Sequence, residues 1–209
     1  MPQKVKQQIL KVMEKLKQLL SELKADSPVE TIKTTFSEIA DILLFKSYIK
    51  TEHGNFRLLE IEFYFKNQNH NDKVTIKRKE DEGMWWLHDY GVDLSFKSDD
   101  TNKNDDDNYY GGILIRSMMS LIDDSQSEQK LFFGPKNCCW QLFYTSALGQ
   151  NFAPLIVMND NNTRFSGTMA TTQRYITGKT PRENGDYRFY VKGLNLTIDP
   201  KYKKASPWK

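Results

Sequence analysis

The sequence is poor in the residues from which metal centres and disulfide frameworks are built. Its cysteines, Cys138 and Cys139, are adjacent, and adjacent cysteines rarely bridge each other, so we expect free thiols in a reducing compartment. The histidines, His53, His70 and His88, are not spaced with these cysteines as zinc ligands are. The composition therefore argues against a disulfide scaffold and against a structural zinc site.

Long apolar runs and glycine-rich nucleotide-binding motifs are also missing. The N-terminus begins Met-Pro-Gln-Lys-Val-Lys without an uninterrupted apolar stretch, so we expect neither a signal peptide nor a membrane span, and a soluble cytoplasmic protein. No Walker glycine loop, dinucleotide fingerprint or Gly-x-Ser-x-Gly elbow is present. The acidic tract at residues 98–108 lacks the ligand spacing and central glycine of a calcium loop, so we expect it to be a mobile, solvated loop.

The composition is that of a folded domain with a modest positive charge. Of the 209 residues, 38% are hydrophobic and 12% are aromatic, which is enough for a core. The net charge of +3 permits a nucleic-acid partner without requiring one. The length predicts one domain, residues 46–200, with an N-terminal helical segment, residues 1–45, packed on it or extending it, and a frayed basic tail, residues 201–209.

Two helices are predicted before the main domain. The first spans residues 3–24, and the second begins after the cap Ser27, with Pro28 as its first residue, and runs to about Phe45. We expect the first to serve packing or self-association, with DNA contact by a basic helix as the alternative. Its apolar stripe consists of Ile9, Val12, Met13, Leu16, Leu19, Leu20 and Leu23.

Residues 57–65 form the most informative segment, because their alternation predicts a β-strand. Side chains two residues apart on a strand point the same way, so Glu62 and Tyr64 stand side by side, roughly 7 Å apart. A carboxylate beside an aromatic ring can hold a flat substrate and activate a water against it, whereas a solvated strand face is the simpler alternative. One face carries Leu59, Ile61, Phe63 and Phe65, and the other carries Leu58, Glu60, Glu62 and Tyr64.

The rest of the chain predicts further strands and one helix. A strand ending at Arg116 aims that charge at a carboxylate or a phosphate, or forms a salt bridge at the sheet edge. The aromatic cluster at residues 84–91 suits either base stacking or a core hairpin. Strands are predicted at residues 74–79, 92–96 and 111–116, a helix from 136 to about 144 after Pro135, an irregular region at 150–186, and a last strand pair at 187–193 and 194–198.

Five separated segments match, in order, the motifs of a single enzyme family. Glu60-Ile61-Glu62-Phe63-Tyr64 looks like its Glu-Thr-Glu-Ala-Tyr strand, and Tyr90-Gly91 looks like the end of its aromatic segment. Leu114-Ile115-Arg116-Ser117 looks like Leu-Leu-Arg-Ala, residues 133–139 look like Ser-Gly-Pro-Ser-Lys-Leu-Cys, and residues 188–193 look like Arg-Phe-Tyr-Val-Arg-Gly. The chain thus resembles the alkyladenine (3-methyladenine) DNA glycosylase family of the mammalian type, over residues 56–198.

The resemblance implies a role for each matching residue. Glu62 would be the general base that activates water, and Arg116 and the main-chain carbonyl of Val191 would hold that water. Tyr64 would stack on a base flipped out of the duplex, and Tyr90 would fill the gap. The other implied pocket and DNA-binding positions are His70, which would contact the base through its main chain, Trp86 or Leu87 at the second stacking position, Lys97 near the position that screens guanine, and Lys192.

The resulting expectation is a monofunctional DNA glycosylase that leaves an abasic site and needs no metal or organic cofactor. We expect an α+β fold, a single domain with a curved, mostly antiparallel sheet flanked by helices, acting on double-stranded DNA as a monomer. The altered pocket positions suggest a bulky modified base of foreign, phage DNA as an alternative substrate. A catalytically silent nucleic-acid-binding module and a carbohydrate hydrolase using Glu60 and Glu62 are the rival hypotheses.

Overall fold

The computed structural model describes residues 3–52, 54–121, 129–143, 154–159, 164–174, 176, 185–196 and 206–208, with residues 3–12 described by their backbone alone. The helices of this part are α1 (Gln3–Glu22), α2 (Val29–Asp41) and α3 (Pro135–Phe143). The strands are β1 (Ser47–Thr51), β2 (Gly54–Lys66), β3 (Trp85–His88), β4 (Gly91–Ser95), β5 (Tyr110–Ser120), β6 (Leu131–Phe133), β7 (Leu155–Met158), β8 (Thr168–Thr172) and β9 (Arg188–Lys192). No helix within these ranges is long and apolar enough to cross a membrane.

The two N-terminal helices pack on the sheet and share its core. Leu16, Leu20 and Leu23 of the first helical segment are buried in one cluster with Phe36 of α2 and Phe63 of β2, which confirms the predicted stripe where its side chains are described. A π-helical turn, Ile42–Lys46, extends α2 to its predicted end. The start of α2 differs from the prediction.

The cap of α2 is Pro28, and Ser27 does not cap the helix. The hydroxyl of Ser27 accepts instead from the amide of Lys24, at 2.8 Å, and closes the turn between the two helices. Pro28 stands at the N-cap position, where its carbonyl accepts from the amide of Ile32. The side chain that the sequence offered as a cap is therefore used one turn earlier, because serine bonds nearby backbone in several geometries.

The nine strands form one antiparallel, curled sheet, so the fold is the expected α+β class. Its centre is the long pair β2 and β5. The free edge of β2 is shared by β1 and β9, and the free edge of β5 by β4 and β6. Because short strands flank a long central pair, side chains from several segments converge on the middle of one sheet face.

A β-bulge interrupts the pairing of β2 and β5 at the candidate site. Leu58 pairs with Met118, Glu60 with Ser117 and Ile61 with Ile115, so Leu59 is an extra residue on β2 and Arg116 is an extra residue on β5. The extra residue on β2 exchanges the two faces of that strand before it, and the extra residue on β5 restores the original register. The sequence assigned Leu59 to the core face and Leu58 to the polar face, but Leu58 joins the core cluster and Leu59 does not.

Four segments differ from the sequence prediction. The region expected to be irregular, residues 150–186, contains strands β7 and β8 in its described part. Residues 74–79 form no strand and instead lie as an irregular segment on the cleft side of the sheet. The last strand, β9, pairs with β8 and β2. Of the strand predicted at 194–198, residues 194–196 form no strand beside it, and residues 197–198 lie outside the described residues. The acidic tract is not simply a solvated loop, because it contains a 3-10 turn, Asp105–Asp107, and Asp105 pairs with Lys66 and Lys77. Each difference arises from contacts between segments distant in sequence.

Candidate active site

The centre of the candidate site is a buried network of two carboxylates and two arginines. Arg116 Nε lies 2.9 Å from Glu60 Oε1, and its Nη1 lies 3.0 Å from Glu62 Oε2. Arg188 approaches Glu60 Oε1 to 2.5 Å and Glu62 Oε1 to 3.7 Å. Glu60 and Glu62 are 2% and 0% exposed, so the opposite charges are what make their burial tolerable. The bulge at Arg116 turns its side chain toward both carboxylates.

Glu60 holds Arg116 in place and is not available for acid–base chemistry. Its second oxygen accepts a hydrogen bond from the Ser117 hydroxyl at 2.6 Å, while its first faces Arg116 and Arg188. Both oxygens are therefore occupied inside the protein. The hydrolase hypothesis that pairs Glu60 with Glu62 has no support in this arrangement, because Arg116, Arg188 and Ser117 engage both oxygens of Glu60.

Tyr64 links the buried carboxylate to the cleft. Its hydroxyl donates to Glu62 Oε2 at 2.7 Å. Burial, followed by the Glu62 carboxylate, raises the pKa of Tyr64 far above its usual range, so the phenol stays protonated as a donor. The guanidinium of Arg174 lies 4.7 Å from the centre of the Tyr64 ring. Arg174 is itself held by Asp72 and by the carbonyl of Phe63, so the ring is fixed from behind.

Arg116 is charged under all ordinary conditions. Burial alone lowers its pKa, but the carboxylates of Glu62 and then Glu60 outweigh burial and raise the pKa above its usual value. The side chain also borders the cleft. Arg116 can therefore offer a permanent positive charge to a ligand while it holds Glu62.

A cleft of about 780 Å³ lies in front of this network, on the sheet face that carries Tyr64 and Arg116. That volume falls within the range of small-molecule sites. Four basic side chains, Lys73, Arg78, Arg116 and Lys136, and a single carboxylate, Asp93, contribute to its described walls. The cleft therefore favours ligands that carry negative charge or electron-rich atoms. Its other lining residues are Tyr64, Val74, Ile76, His88, Tyr90, Leu114, Pro135 and Ile176.

Glu62 lies behind the cleft wall. The described lining includes its two hydrogen-bond partners, Tyr64 and Arg116, but not Glu62 itself. The carboxylate thus stands one side chain away from a ligand in the cleft. A water reaches it only if Tyr64 or Arg116 shifts, and such catalytic contacts are often differently aligned without substrate.

Tyr90 stands at the mouth of the cleft. It occupies the turn between β3 and β4, is 67% exposed, and borders the cleft. Leu87, on β3 of the same hairpin, is 53% exposed and lies outside the described lining. Trp86 is also outside the lining and packs instead against Arg78 and His88. The position that sequence reasoning gave to a second aromatic wall is therefore filled by Arg78, with Trp86 behind it.

His70 supports a loop and does not reach the cleft. Its Nδ1 lies 2.6 Å from the carbonyl of Phe65, which only accepts, so Nδ1 carries the proton and Nε2 accepts from the Tyr187 hydroxyl at 2.8 Å. Its main-chain carbonyl accepts from the amides of Asn67 and Asp72. The expected contact with a base through the His70 main chain is therefore already used within the loop.

Lys97, Val191 and Lys192 also lie outside the described lining of the cleft. Lys97 is exposed, and its amide donates to the carbonyl of Leu20 in α1. Lys192 is exposed at the end of β9. The buried Val191 offers its carbonyl to the indole Nε1 of Trp208, at 2.6 Å.

The contact between Val191 and Trp208 shows that part of the tail, which we expected to be frayed, packs on the sheet. Trp208 is docked, with its ring 5.9 Å from Phe133 and 5.8 Å from Tyr190, while residues 201–205 and 209 lie outside the described residues. A tryptophan buries much apolar surface and finds a partner for its N–H, which explains why the end of the chain returns to the sheet.

Sequence reasoning missed a second polar group on the same sheet face, formed by Arg78, His88 and Asp93. Arg78 Nη2 lies 2.8 Å from Asp93 Oδ2, and His88 Nε2 lies 3.1 Å from Asp93 Oδ1. The alternation of residues 92–96, with Asp93 and Ser95 between apolar neighbours, is the same signal that identified Glu62. Arg78 itself comes from the irregular segment, and no pattern in the sequence indicated it.

Cys138 and Cys139 are free thiols, as expected from their adjacency. Within the described ranges, no group of three or more histidine, cysteine, aspartate or glutamate side chains is placed to hold a metal ion. No protein-family model matches the chain, and no curated protein matches it. The geometry of the cleft and the residues behind it are therefore the basis for a functional conclusion.

Proposed function

We propose that this protein is a monofunctional DNA glycosylase, which binds a flipped base in the cleft and hydrolyses its N-glycosidic bond. The observation that carries the proposal is the contact of the buried Glu62 with Tyr64 and Arg116. Both partners border the cleft. A carboxylate, an aromatic ring and a fixed cation thus meet at the floor of one basic cleft.

The chemistry assigns one step to each of these groups. A water enters between Tyr64 and Arg116 and passes a proton to Glu62 as its oxygen adds to the anomeric carbon of the sugar. The C–N bond breaks, and its electron pair leaves with the base. Arg116 steadies the carboxylate, and Tyr64 provides a flat surface for the base. No lysine nucleophile is required, so the product is an intact abasic site.

The cleft supports a nucleic acid as the substrate. Lys73 and Lys136 extend the positive charge of the walls, which suits the phosphates that flank a flipped nucleotide. Tyr90, exposed at the mouth, is placed to fill the gap in the duplex. An enzyme of this class must take the base out of the stack, because the glycosidic bond is unreachable inside it.

The variant Glu62→Gln tests the proposal directly. The amide cannot accept the proton of water, so we expect release of free base to fall by roughly a thousandfold or more, within the range that general base catalysis contributes. Binding to DNA should change little. The assay incubates duplexes with varied base modifications, scores alkali-labile abasic sites and identifies the released base by mass spectrometry.

The control is Glu52→Gln, the same substitution at an exposed position in the turn before β2. It should leave base release at the wild-type rate. Retained turnover in Glu62→Gln would refute the role of Glu62. Absence of abasic sites with every modified duplex would refute the glycosylase itself.

A nucleic-acid-binding module without catalytic activity is the second candidate. The position of Glu62 behind Tyr64 and Arg116 favours it, because a carboxylate held by both need not contact a ligand. In that case Glu62→Gln would leave binding intact and no wild-type sample would form abasic sites. The base-release assay therefore separates the two candidates.

A further inference from the structure

Arg78 is the most constrained charged side chain of the cleft that the proposed reaction does not use. It is 5% exposed and borders the cleft. Its guanidinium carbon lies 3.8 Å from the centre of the Trp86 ring, a stacking distance. Trp86 does not line the cleft, so the guanidinium lies between the indole and the ligand space. A flat cation backed by an aromatic ring is a surface on which a base can stack.

Two further contacts hold the guanidinium in place. Nη2 pairs with Asp93 Oδ2 at 2.8 Å, and Nε donates to the carbonyl of Ile76 at 3.4 Å. The other oxygen of Asp93 faces His88 Nε2, and the amide of Tyr90 donates to His88 Nδ1, so Nε2 carries the proton that His88 donates to Asp93. Asp93 is thus held in place by Arg78 at one carboxylate oxygen and by His88 at the other.

Glycine at position 112 makes room for this arrangement. A Cβ built on Gly112 would lie 2.6 Å from Arg78 Nη1 and 2.7 Å from Asp93 Oδ2. Any side chain there would displace the ion pair. Gly112 also pairs with Tyr64 across β2 and β5, which places Arg78 and the Tyr64 ring at neighbouring positions on the same cleft wall.

We propose that Arg78 is the second stacking surface of the base pocket, beside Tyr64, and that its charge makes the pocket prefer neutral bases over cationic ones. This inference rests on the proposed function, because it specifies the class of base that the same cleft takes. A positively charged base would lie against Arg78, with Arg116, Lys73 and Lys136 around it and Asp93 as the only described carboxylate in the wall. Like charges at contact distance repel strongly in a partly buried site.

Pairs of isomeric nucleosides isolate charge from size. 1-Methyladenosine is a cation at neutral pH, while N6-methyladenosine has the same heavy atoms and is neutral. 3-Methylcytidine and 5-methylcytidine form a second such pair. Titration of each into the full-length protein, followed by nuclear magnetic resonance of the backbone amides, gives a dissociation constant without requiring catalysis. We expect the neutral isomer to bind tighter by roughly fivefold or more in both pairs.

Two variants assign the preference to Arg78. Arg78→Met removes the positive charge and the flat guanidinium, so the ratio of the dissociation constants of the two isomers should approach one. Because that change leaves Asp93 buried without its cation, the double variant Arg78→Met and Asp93→Asn provides a neutral site and should give the same ratio. Lys50→Met, which removes an exposed cation on β1 outside the described cleft lining, is the matched control and should retain the wild-type preference.

The results separate this inference from the proposed function. Equal or tighter binding of the cations by the wild-type protein, no binding of any isomer at millimolar concentration, or an unchanged ratio in both Arg78 variants would overturn the role of Arg78. If the preference depends on Arg78 but no abasic sites form, this inference stands and the glycosylase proposal fails. Release of cationic bases in preference to neutral ones would leave a glycosylase and refute the charge selection.

Discussion

At the residue scale, the important feature of the site is that a single layer of side chains separates the buried Glu62 carboxylate from the cleft. Glu62 contacts Tyr64 and Arg116, and each of these borders the ligand space. A buried carboxylate with paired cations is most often structural. What distinguishes this one is that its partners, and not bulk protein, lie between it and the cleft.

Tyr64→Phe tests the link between Tyr64 and Glu62. The ring and its stacking surface remain, but Glu62 loses a hydroxyl donor at 2.7 Å. A hydrogen bond to a charged group contributes about 1.5–3 kcal/mol, so we expect kcat for base release to fall at least tenfold by that principle. KM for DNA should stay nearly constant. Steady-state kinetics over a range of DNA concentrations measure both.

Tyr109→Phe, at a position outside the described cleft lining, is the matched control and should behave as wild type. A Tyr64→Phe protein with normal kcat and weakened DNA binding would show that the hydroxyl serves binding and does not orient the carboxylate.

At the element scale, the acidic segment is tied to the sheet by one aspartate. Asp105 accepts from Lys66 Nζ at 3.0 Å and from Lys77 Nζ at 3.1 Å. Lys66 ends β2, and Lys77 belongs to the irregular segment that carries Arg78. The 3-10 turn at Asp105–Asp107 therefore joins two segments that frame the cleft.

The hydrogen bonds from Lys66, then Lys77, lower the pKa of Asp105 to about 2, from an ordinary value of 3.8. Since the folded pKa is the lower one, the contribution of Asp105 to stability is present above pH 3.8 and is lost as the pH falls through about 2. We expect the Asp105 carboxyl resonance to titrate in that acidic window. A midpoint at the ordinary value would contradict both ion pairs.

Asp105→Asn should reproduce at neutral pH the loosening that acid causes in the native protein. Faster amide exchange of residues 98–108 would report it. Asp106→Asn, the same substitution one residue along, should leave the exchange rates unchanged, because the contacts with Lys66 and Lys77 come from Asp105.

At the scale of the whole molecule, the N-terminal helices are part of the domain that carries the cleft. Leu16, Leu19, Leu20 and Leu23 lie in the same cluster as the core residues of β2 and β5. The amide of Lys97, just after β4, donates to the carbonyl of Leu20. The first helix therefore supports the strand that carries Asp93.

Leu20→Ala tests whether the helices and the sheet unfold as one cooperative unit. Leu20 is 3% exposed, and truncation of a buried leucine costs about 2–5 kcal/mol of unfolding free energy. We expect one cooperative denaturant transition at a lower midpoint. Lys17→Ala, on the exposed side of α1, should shift the unfolding free energy by less than about 0.5 kcal/mol. Two separate transitions would show that the helices fold independently of the sheet.

Much of the fold could be predicted, because its signals are local. The alternation of residues 57–65, the apolar stripe of the first helix and the proline at the start of α3 are properties of adjacent residues, and all three elements form. The predicted strand at residues 74–79 was wrong, because that segment is shaped by contacts of Arg78 with Trp86 and Asp93 and not by its own pattern.

In the candidate site too, some features follow from the local sequence and others only from tertiary contacts. The sequence by itself determined that Glu62 and Tyr64 lie side by side on one face of a strand, since a strand has a period of two residues. Only the tertiary structure decided that Arg116 and Arg188 neutralise Glu60 and Glu62, that a bulge aims Arg116, and that Arg78 stands where an aromatic residue was expected. The physical reason is that charge pairing and burial depend on which distant segments meet, and the pattern of neighbouring residues does not record it.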